Sequence, residues 1–179
     1  MGVLALATAA AVALTACSGP RPVRKTSQNG WEVITSARDD RLQTFPWVTG
    51  KVRAGDVSTV LGFVAERFDD EVERVDVDSS WGWSYRPVRG GADLSNHASG
   101  TAIDLNALAH PLGVRGTFTD DQVSTIHSIL DQVDSVVRWG GDYSGRRDDM
   151  HFEIVGTEDD VARAAARVHG IGSSQGREP

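Results

Sequence analysis

Apolar residues recur every three or four positions after Asp56, at Val57, Val60, Leu61, Val64, Phe68 and Val72. That spacing puts them on one face of a helix, and Asp56 is a suitable N-cap for it. Arg74-Val75-Asp76-Val77-Asp78 then changes to period two, and Trp81, Trp83 and Tyr85 alternate again, which predicts strands. Thr119-Asp120-Asp121-Gln122 is a capping box, followed by Val123, Ile126, Leu130 and Val133 on one helical face. Val136 to Trp139 and Met150 to Val155 are short strand-forming runs. A last helix opens at Thr157, with Asp160 three residues on, and closes at Gly170, leaving 171–179 as a frayed tail. Helices and strands without regular βαβ alternation predict an α+β domain, a small antiparallel sheet flanked by helices.

Composition narrows the class. A chain of 179 residues suits one domain. With 40% hydrophobic and 24% charged residues it has the balance of a soluble globular protein, which argues against a disordered, collagen-like or polytopic membrane chain. A net charge of −7 and a pI near 5.1 argue against a nucleic acid partner gripped through its phosphates. Cys17 has no second cysteine to pair with, so a covalent-strength staple is either a metal or absent.

Met1 to Ala16 carries no charge. The run is shorter than the ~20 residues a membrane-spanning helix needs and suits the apolar region of a signal peptide. It closes on Leu14-Thr15-Ala16-Cys17, which resembles the lipobox of bacterial lipoprotein signal peptides. That resemblance implies export, cleavage before Cys17, and a lipid on Cys17 holding the protein at the outer face of the cytoplasmic membrane; without the lipid the product would be secreted. One departure is that no Lys or Arg precedes the apolar run. Residues 17–30, rich in Pro, Gly and polar side chains, read as a tether to a domain at 31–170. Arg21, Arg24 and Lys25 either rest on anionic headgroups or simply solvate that linker.

The candidate chemistry lies between Trp81 and Glu153. His97 and Asp104 stand seven residues apart with Gly100 between them, where the chain turns at low steric cost. Ala102 and Asp104 share one face of the strand that follows. His151 arrives within Asp148-Asp149-Met150-His151-Phe152-Glu153. Two imidazoles and one carboxylate make three protein ligands for Zn2+ and leave the fourth position to water, the catalytic rather than the structural arrangement. Asp148, three residues before His151, is placed to act as general base. Strand parity instead favours Asp149, unless the backbone turns before the strand. His110, His127 and His169 receive no role. Trp81, Trp83 and Trp139 are candidate cleft walls, with core packing expected of at least two. Asp142 is either a partner of a ligand histidine or a turn residue.

Ser95-x-His97-x-x-Gly100-x-Ala102-x-Asp104 followed by Asp148-x-x-His151 resembles the zinc D-alanyl-D-alanine carboxypeptidases and L-alanyl-D-glutamate endopeptidases of bacterial cell walls and phage endolysins. These share a fold with Hedgehog signalling domains. Tyr85-Arg86-Pro87-Val88-Arg89-Gly90 and Trp139-Gly140-Gly141-Asp142 extend the likeness, which runs roughly from Phe45 to Val155. The resemblance implies that His97, Asp104 and His151 bind zinc. It implies that Asp148 takes a proton from the attacking water and hands one to the leaving amine. Arg86 would bind substrate or steady the oxyanion, and Ser95 would lie near the substrate. Met150 departs from the proline that family members often carry there. The implied function is zinc-dependent hydrolysis of peptidoglycan stem peptides by a monomer. Carboxypeptidase and endopeptidase need the same metal centre and are not separated by these motifs. The alternative from another class is a non-catalytic, zinc-containing wall-binding or regulatory module. A purely structural zinc domain usually has four protein ligands, often cysteines, and no fourth ligand is evident.

Overall fold

The structure, a computed structural model, describes residues 25–175. The apolar run, Cys17 and the first part of the tether lie outside the described residues. Eight regular elements follow one another: β1 (Leu42–Thr44), β2 (Lys51–Arg53), α1 (Asp56–Glu71), β3 (Ala102–Asp104), α2 (Asp120–Asp131), β4 (Val137–Trp139), β5 (His151–Ile154) and α3 (Glu158–Gln175). β1 and β2 form an antiparallel hairpin. β3, β5 and β4 form a second antiparallel sheet with β5 in the centre. The architecture is α+β, as the mixed periodicity implied.

α1 exists because its apolar stripe is buried: Val57, Val60, Leu61, Val64 and Phe68 are all sequestered. At ~1.5–3 kcal/mol for each fully buried side chain of this size, that face supplies much of the drive for α1 to pack on α2 and α3. Phe68 meets Phe118 and Phe152 edge-on, with ring centroids 5.9 and 5.7 Å apart, which joins α1 to the central strand. Ile126, Ile129 and Leu130 of α2 and Val161, Ala164 and Ala165 of α3 complete the cluster. Among the described residues, no helix is long and apolar enough to cross a membrane.

Several local expectations change. α1 is capped not by Asp56 but by Gly55, at φ 79°, so Asp56 begins the helix and places its charge in the first turn. Thr119 and Gln122 form the reciprocal capping box expected of α2. The alternating run from Arg74 to Asp78 is not a strand. Asp76 caps a short 3-10 turn over Val77–Ser79, and Asn106 accepts from the Asp76 N–H at 2.7 Å, so local capping displaced the period-two pattern. Trp81 to Tyr85 forms no strand: Trp81 makes single bridges to Thr49 and Asp104, and the Trp83 N–H donates to the Lys51 carbonyl at 2.6 Å. The hairpin of β1 and β2 was not foreseen; its strands are three residues each, too short for a period to register.

The ends of the body also move. Residues 25–30, assigned to the tether, join the fold: Thr26 bridges to Glu32, and the buried Ser27 hydroxyl donates to Ser99 Oγ at 2.8 Å. α3 runs through Gly170 to Gln175, because a glycine without a left-handed C-cap weakens a helix but does not end it.

Candidate active site

All four residues of β5 are buried, but for two different purposes. Phe152 and Ile154 point into the hydrophobic core, while His151 and Glu153, by strand alternation, share the opposite face. The antiparallel register sets Asp104 of β3 opposite His151, and both Ala102 of β3 and Arg138 of β4 opposite Glu153. The sheet thus lays two rows of polar groups side by side.

His97 reaches this face from a short 3-10 turn, Asn96–Ser99, capped by the Ser95 hydroxyl, which accepts the His97 backbone N–H at 3.3 Å. Gly100 ends that turn at φ 72°, and a Cβ there would lie 2.7 Å from the Arg53 nitrogen. Only glycine satisfies both the left-handed backbone and the close approach to β2. The turn is thereby held against the hairpin, with the Arg53 N–H donating to the Gly100 carbonyl at 2.7 Å.

His97, Asp104 and His151 are brought together: one ligand atom from each lies within 4.8 Å of the others. Asp104 Oδ1 sits between the two rings, 3.2 Å from His97 Nε2 and 2.8 Å from His151 Nδ1. The remaining atoms of each group are anchored. His97 Nδ1 donates to the Gly82 carbonyl at 2.7 Å, and the Trp81 indole N–H donates to Asp104 Oδ2 at 2.7 Å. Such outer contacts fix which atom of each ligand is offered inward.

The electrostatics agree with a cation site. Burial alone would raise the Asp104 pKa, but the charge of His97 and hydrogen bonds from His151 and His97 hold it well below the usual carboxylate range. Burial would likewise lower His151, yet its hydrogen bonds to Asp104 and Glu153 outweigh this and push it up to about 10. Positive charge is favoured at the point where the three donors converge. Two imidazoles and a carboxylate suit zinc in number and type, so the residues present fit that ion.

Asp148 and Asp149 lead into β5 through a turn. The His151 N–H donates to the Asp148 carbonyl at 2.9 Å, so the chain bends before β5 begins and parity no longer applies. Asp148 lines the cleft, and its buried Oδ1 has no hydrogen-bond partner. Burial raises its pKa to about 6, partly offset by His151. Asp149 faces away from the cleft, accepting from the Thr117 hydroxyl at 2.7 Å. The Trp139 indole N–H donates to the Asp149 carbonyl at 2.6 Å, and the Asp148 N–H to the Gly140 carbonyl at 3.1 Å. A Cβ on Gly140 would lie 2.4 Å from the Asp148 carbonyl oxygen, so glycine is needed for this approach.

The cleft has a volume of about 810 Å³, and its walls include Trp81, Arg86, Ser95, Asp148 and His151. Of the three candidate wall tryptophans only Trp81 lines it; Trp139 is core, and Trp83 donates to the Ile34 carbonyl at 3.0 Å. Asp142 is not a partner of a ligand histidine. It pairs with the half-exposed His127 at 3.0 Å. His110, also without an expected role, is stacked on Phe118 and bonded to Glu73 and Thr117.

The residue that sequence reasoning missed is Glu153. It is 2% exposed, yet it receives Arg138, the Tyr143 hydroxyl, Asn96 Nδ2 and His151 Nε2. These partners overcome its burial and depress its pKa. Its parity with His151 two positions earlier was the available clue.

Two histidines and one aspartate converging beside Asp148 on an α+β scaffold could hold one metal ion. Residues 89–154, which hold His97, Asp104, Asp148, His151 and Glu153, match the family model described as D-alanyl-D-alanine carboxypeptidase. That match bears out the resemblance read from the motifs and supports a peptidase. No curated protein and no solved structure matches the chain significantly.

Proposed function

We propose that this chain is a zinc-dependent peptidase that hydrolyses the stem peptides of peptidoglycan. The observation that carries the reading is the convergence of His97, Asp104 and His151 beside Asp148, whose inner Oδ1 is buried without a hydrogen-bond partner, within the stretch similar to the carboxypeptidase family. Zinc held by those three residues would supply Lewis acidity, acidifying a water and polarising the scissile carbonyl. Asp148 takes the proton from the attacking water and returns it to the leaving amine; a carboxyl titrating near neutrality suits both halves of that task. Arg86, on the cleft wall, meets the negative charge that develops on the carbonyl oxygen or holds a carboxylate of the substrate. Ser95 shapes the turn that carries His97 and, through its N–H to the Arg86 carbonyl at 3.1 Å, ties substrate-binding and ligand segments together.

The wall of the cleft supports an anionic peptide as substrate. Arg86, Arg89 and Arg146 line it without an ion pair to any described residue, in a chain whose net charge is −7. Stem peptides bring free carboxylates to such a surface, and rim guanidiniums speed encounter with them. We further propose export and lipid attachment at Cys17, on the lipobox-like Leu14-Thr15-Ala16-Cys17.

Incubating zinc-loaded protein with defined muropeptides, and weighing the products, tests the function. Loss of a terminal D-alanine identifies a carboxypeptidase, and cleavage after L-alanine an endopeptidase. Stoichiometric zinc with no cleavage of any muropeptide rejects the enzyme and leaves the non-catalytic module.

A further inference from the structure

We propose that Glu153 is a positioning residue that selects the His151 tautomer, so that Nδ1 and not Nε2 is offered to the metal. The inference rests on the zinc-site reading and goes beyond it to a residue outside the ligand set. His151 is held between two carboxylates: Nδ1 lies 2.8 Å from Asp104 Oδ1, the atom that His97 Nε2 also approaches, while Nε2 lies 3.3 Å from Glu153 Oε2. A neutral imidazole carries one proton, and it resides on the nitrogen facing the acceptor that no metal would claim. Glu153 is that acceptor, so the lone pair falls on Nδ1.

The four partners of Glu153 make this choice unusually strict, because in this arrangement all of them donate. Oε1 receives the Arg138 guanidinium and the Tyr143 hydroxyl at 2.5 Å; Oε2 receives Asn96 Nδ2 and His151 Nε2. An acceptor-only group is required there, and ionised carboxylate is the side chain that provides two such oxygens. Glutamine in its place must aim its NH2 at one pair of partners. Arg138 cannot accept, so the amide oxygen stays with Arg138 and Tyr143, and the NH2 turns toward Asn96 and His151. Asn96 cannot turn over without losing its Oδ1 contact to the Asn29 N–H at 2.9 Å. His151 is the group left to yield: Nε2 becomes an acceptor, and the proton moves to Nδ1, where it blocks ligation. A near-isosteric substitution, remote from the donor atoms, thereby turns off a ligand.

The experiment compares wild type with Glu153→Gln, each stripped of metal and titrated with zinc against a chromophoric chelator. Unfolding is followed in parallel, and the His151 ring is read by its 15N shifts. The expected result is a folded variant that binds zinc about 10–100-fold more weakly. In zinc-loaded wild type, His151 should have Nε2 protonated and Nδ1 metal-bound; in Glu153→Gln at the same zinc concentration, the proton should sit on Nδ1 and leave that nitrogen unligated. A purely structural role for Glu153 would not move that tautomer. A folded Glu153→Gln with wild-type zinc affinity overturns the proposal. So does wild-type protein ligating through Nε2, a measurement that stands even if the variant fails to fold. Wild type that binds no zinc removes the metal-site reading itself, and this proposal with it.

Discussion

Replacing Asp148 with asparagine should separate catalysis from stability, because burial places this carboxyl at odds with the fold that holds it. Its pKa rises from 3.8 to about 6 in the folded protein. Below pH 3.8 the group is protonated in both folded and unfolded chains and contributes no pH-dependent difference. Between pH 4 and 6 the unfolded chain ionises while the folded one resists, and above about 6 the folded state carries the whole cost. Two pKa units correspond to ~3 kcal/mol, but Asp148 is only partly buried and open to the cleft, so solvent screening reduces this to ~1 kcal/mol. Metal-free Asp148→Asn should therefore melt above metal-free wild type by ~2–4 °C at pH 7.5 for a domain of this size. The difference should vanish near pH 3.5. The same variant should keep its zinc and lose hydrolysis by ~10²–10⁴-fold, the usual contribution of a positioned acid-base group. Thermal melts with chelator present, zinc analysis and a muropeptide assay cover the three claims. A variant equally or less stable at pH 7.5 refutes the burial argument, and undiminished hydrolysis refutes Asp148 as the base.

Asp149→Asn should leave hydrolysis within about tenfold of wild type, since its carboxylate accepts from Thr117 outside the cleft; a loss as large as that of Asp148→Asn would reassign the base. His151→Ala should abolish stoichiometric zinc, as measured by metal analysis of purified protein, and activity with it. Gly140→Ala should reduce turnover more than zinc affinity, because the added Cβ displaces the Asp148 backbone while His97 and Asp104 keep their places; equal loss of both would show that the turn also holds His151. Cys17→Ser should release the protein from the membrane fraction or leave it unprocessed; native protein found soluble with Met1 to Ala16 attached would end the lipoprotein proposal.

α1 and α2 were legible because each has an apolar stripe long enough to show its period, and the Thr119 box marked where α2 starts; α3 was legible from its Thr157 and Asp160 start, but not in its end. Short extended segments were not. β1 and β2 are too brief for alternation to register, and from Arg74 to Asp78 the alternation was real but served a capped turn. The candidate ligands were legible as residue types at a spacing, and their convergence on Asp104 Oδ1 agrees with it. Glu153 was not: its parity with His151 put it on the same strand face, but nothing local shows that Asn96, Arg138 and Tyr143 converge on it.

What the chain alone determined is the inventory: two imidazoles, a carboxylate and a nearby acid, carried on motifs whose glycines permit tight turns. What only the tertiary structure decided is which atoms face one another. The placement of Asp148 in the cleft and of Asp149 outside it depended on a backbone turn closed by the His151 N–H, and the exclusion of Asp142 depended on where α2 places His127. The partners of the two His151 nitrogens depended on the register of β5 between β3 and β4. Such pairings join residues distant along the chain, at separations where local propensity carries no information, and they are set by how the apolar faces of the helices and of β5 pack together.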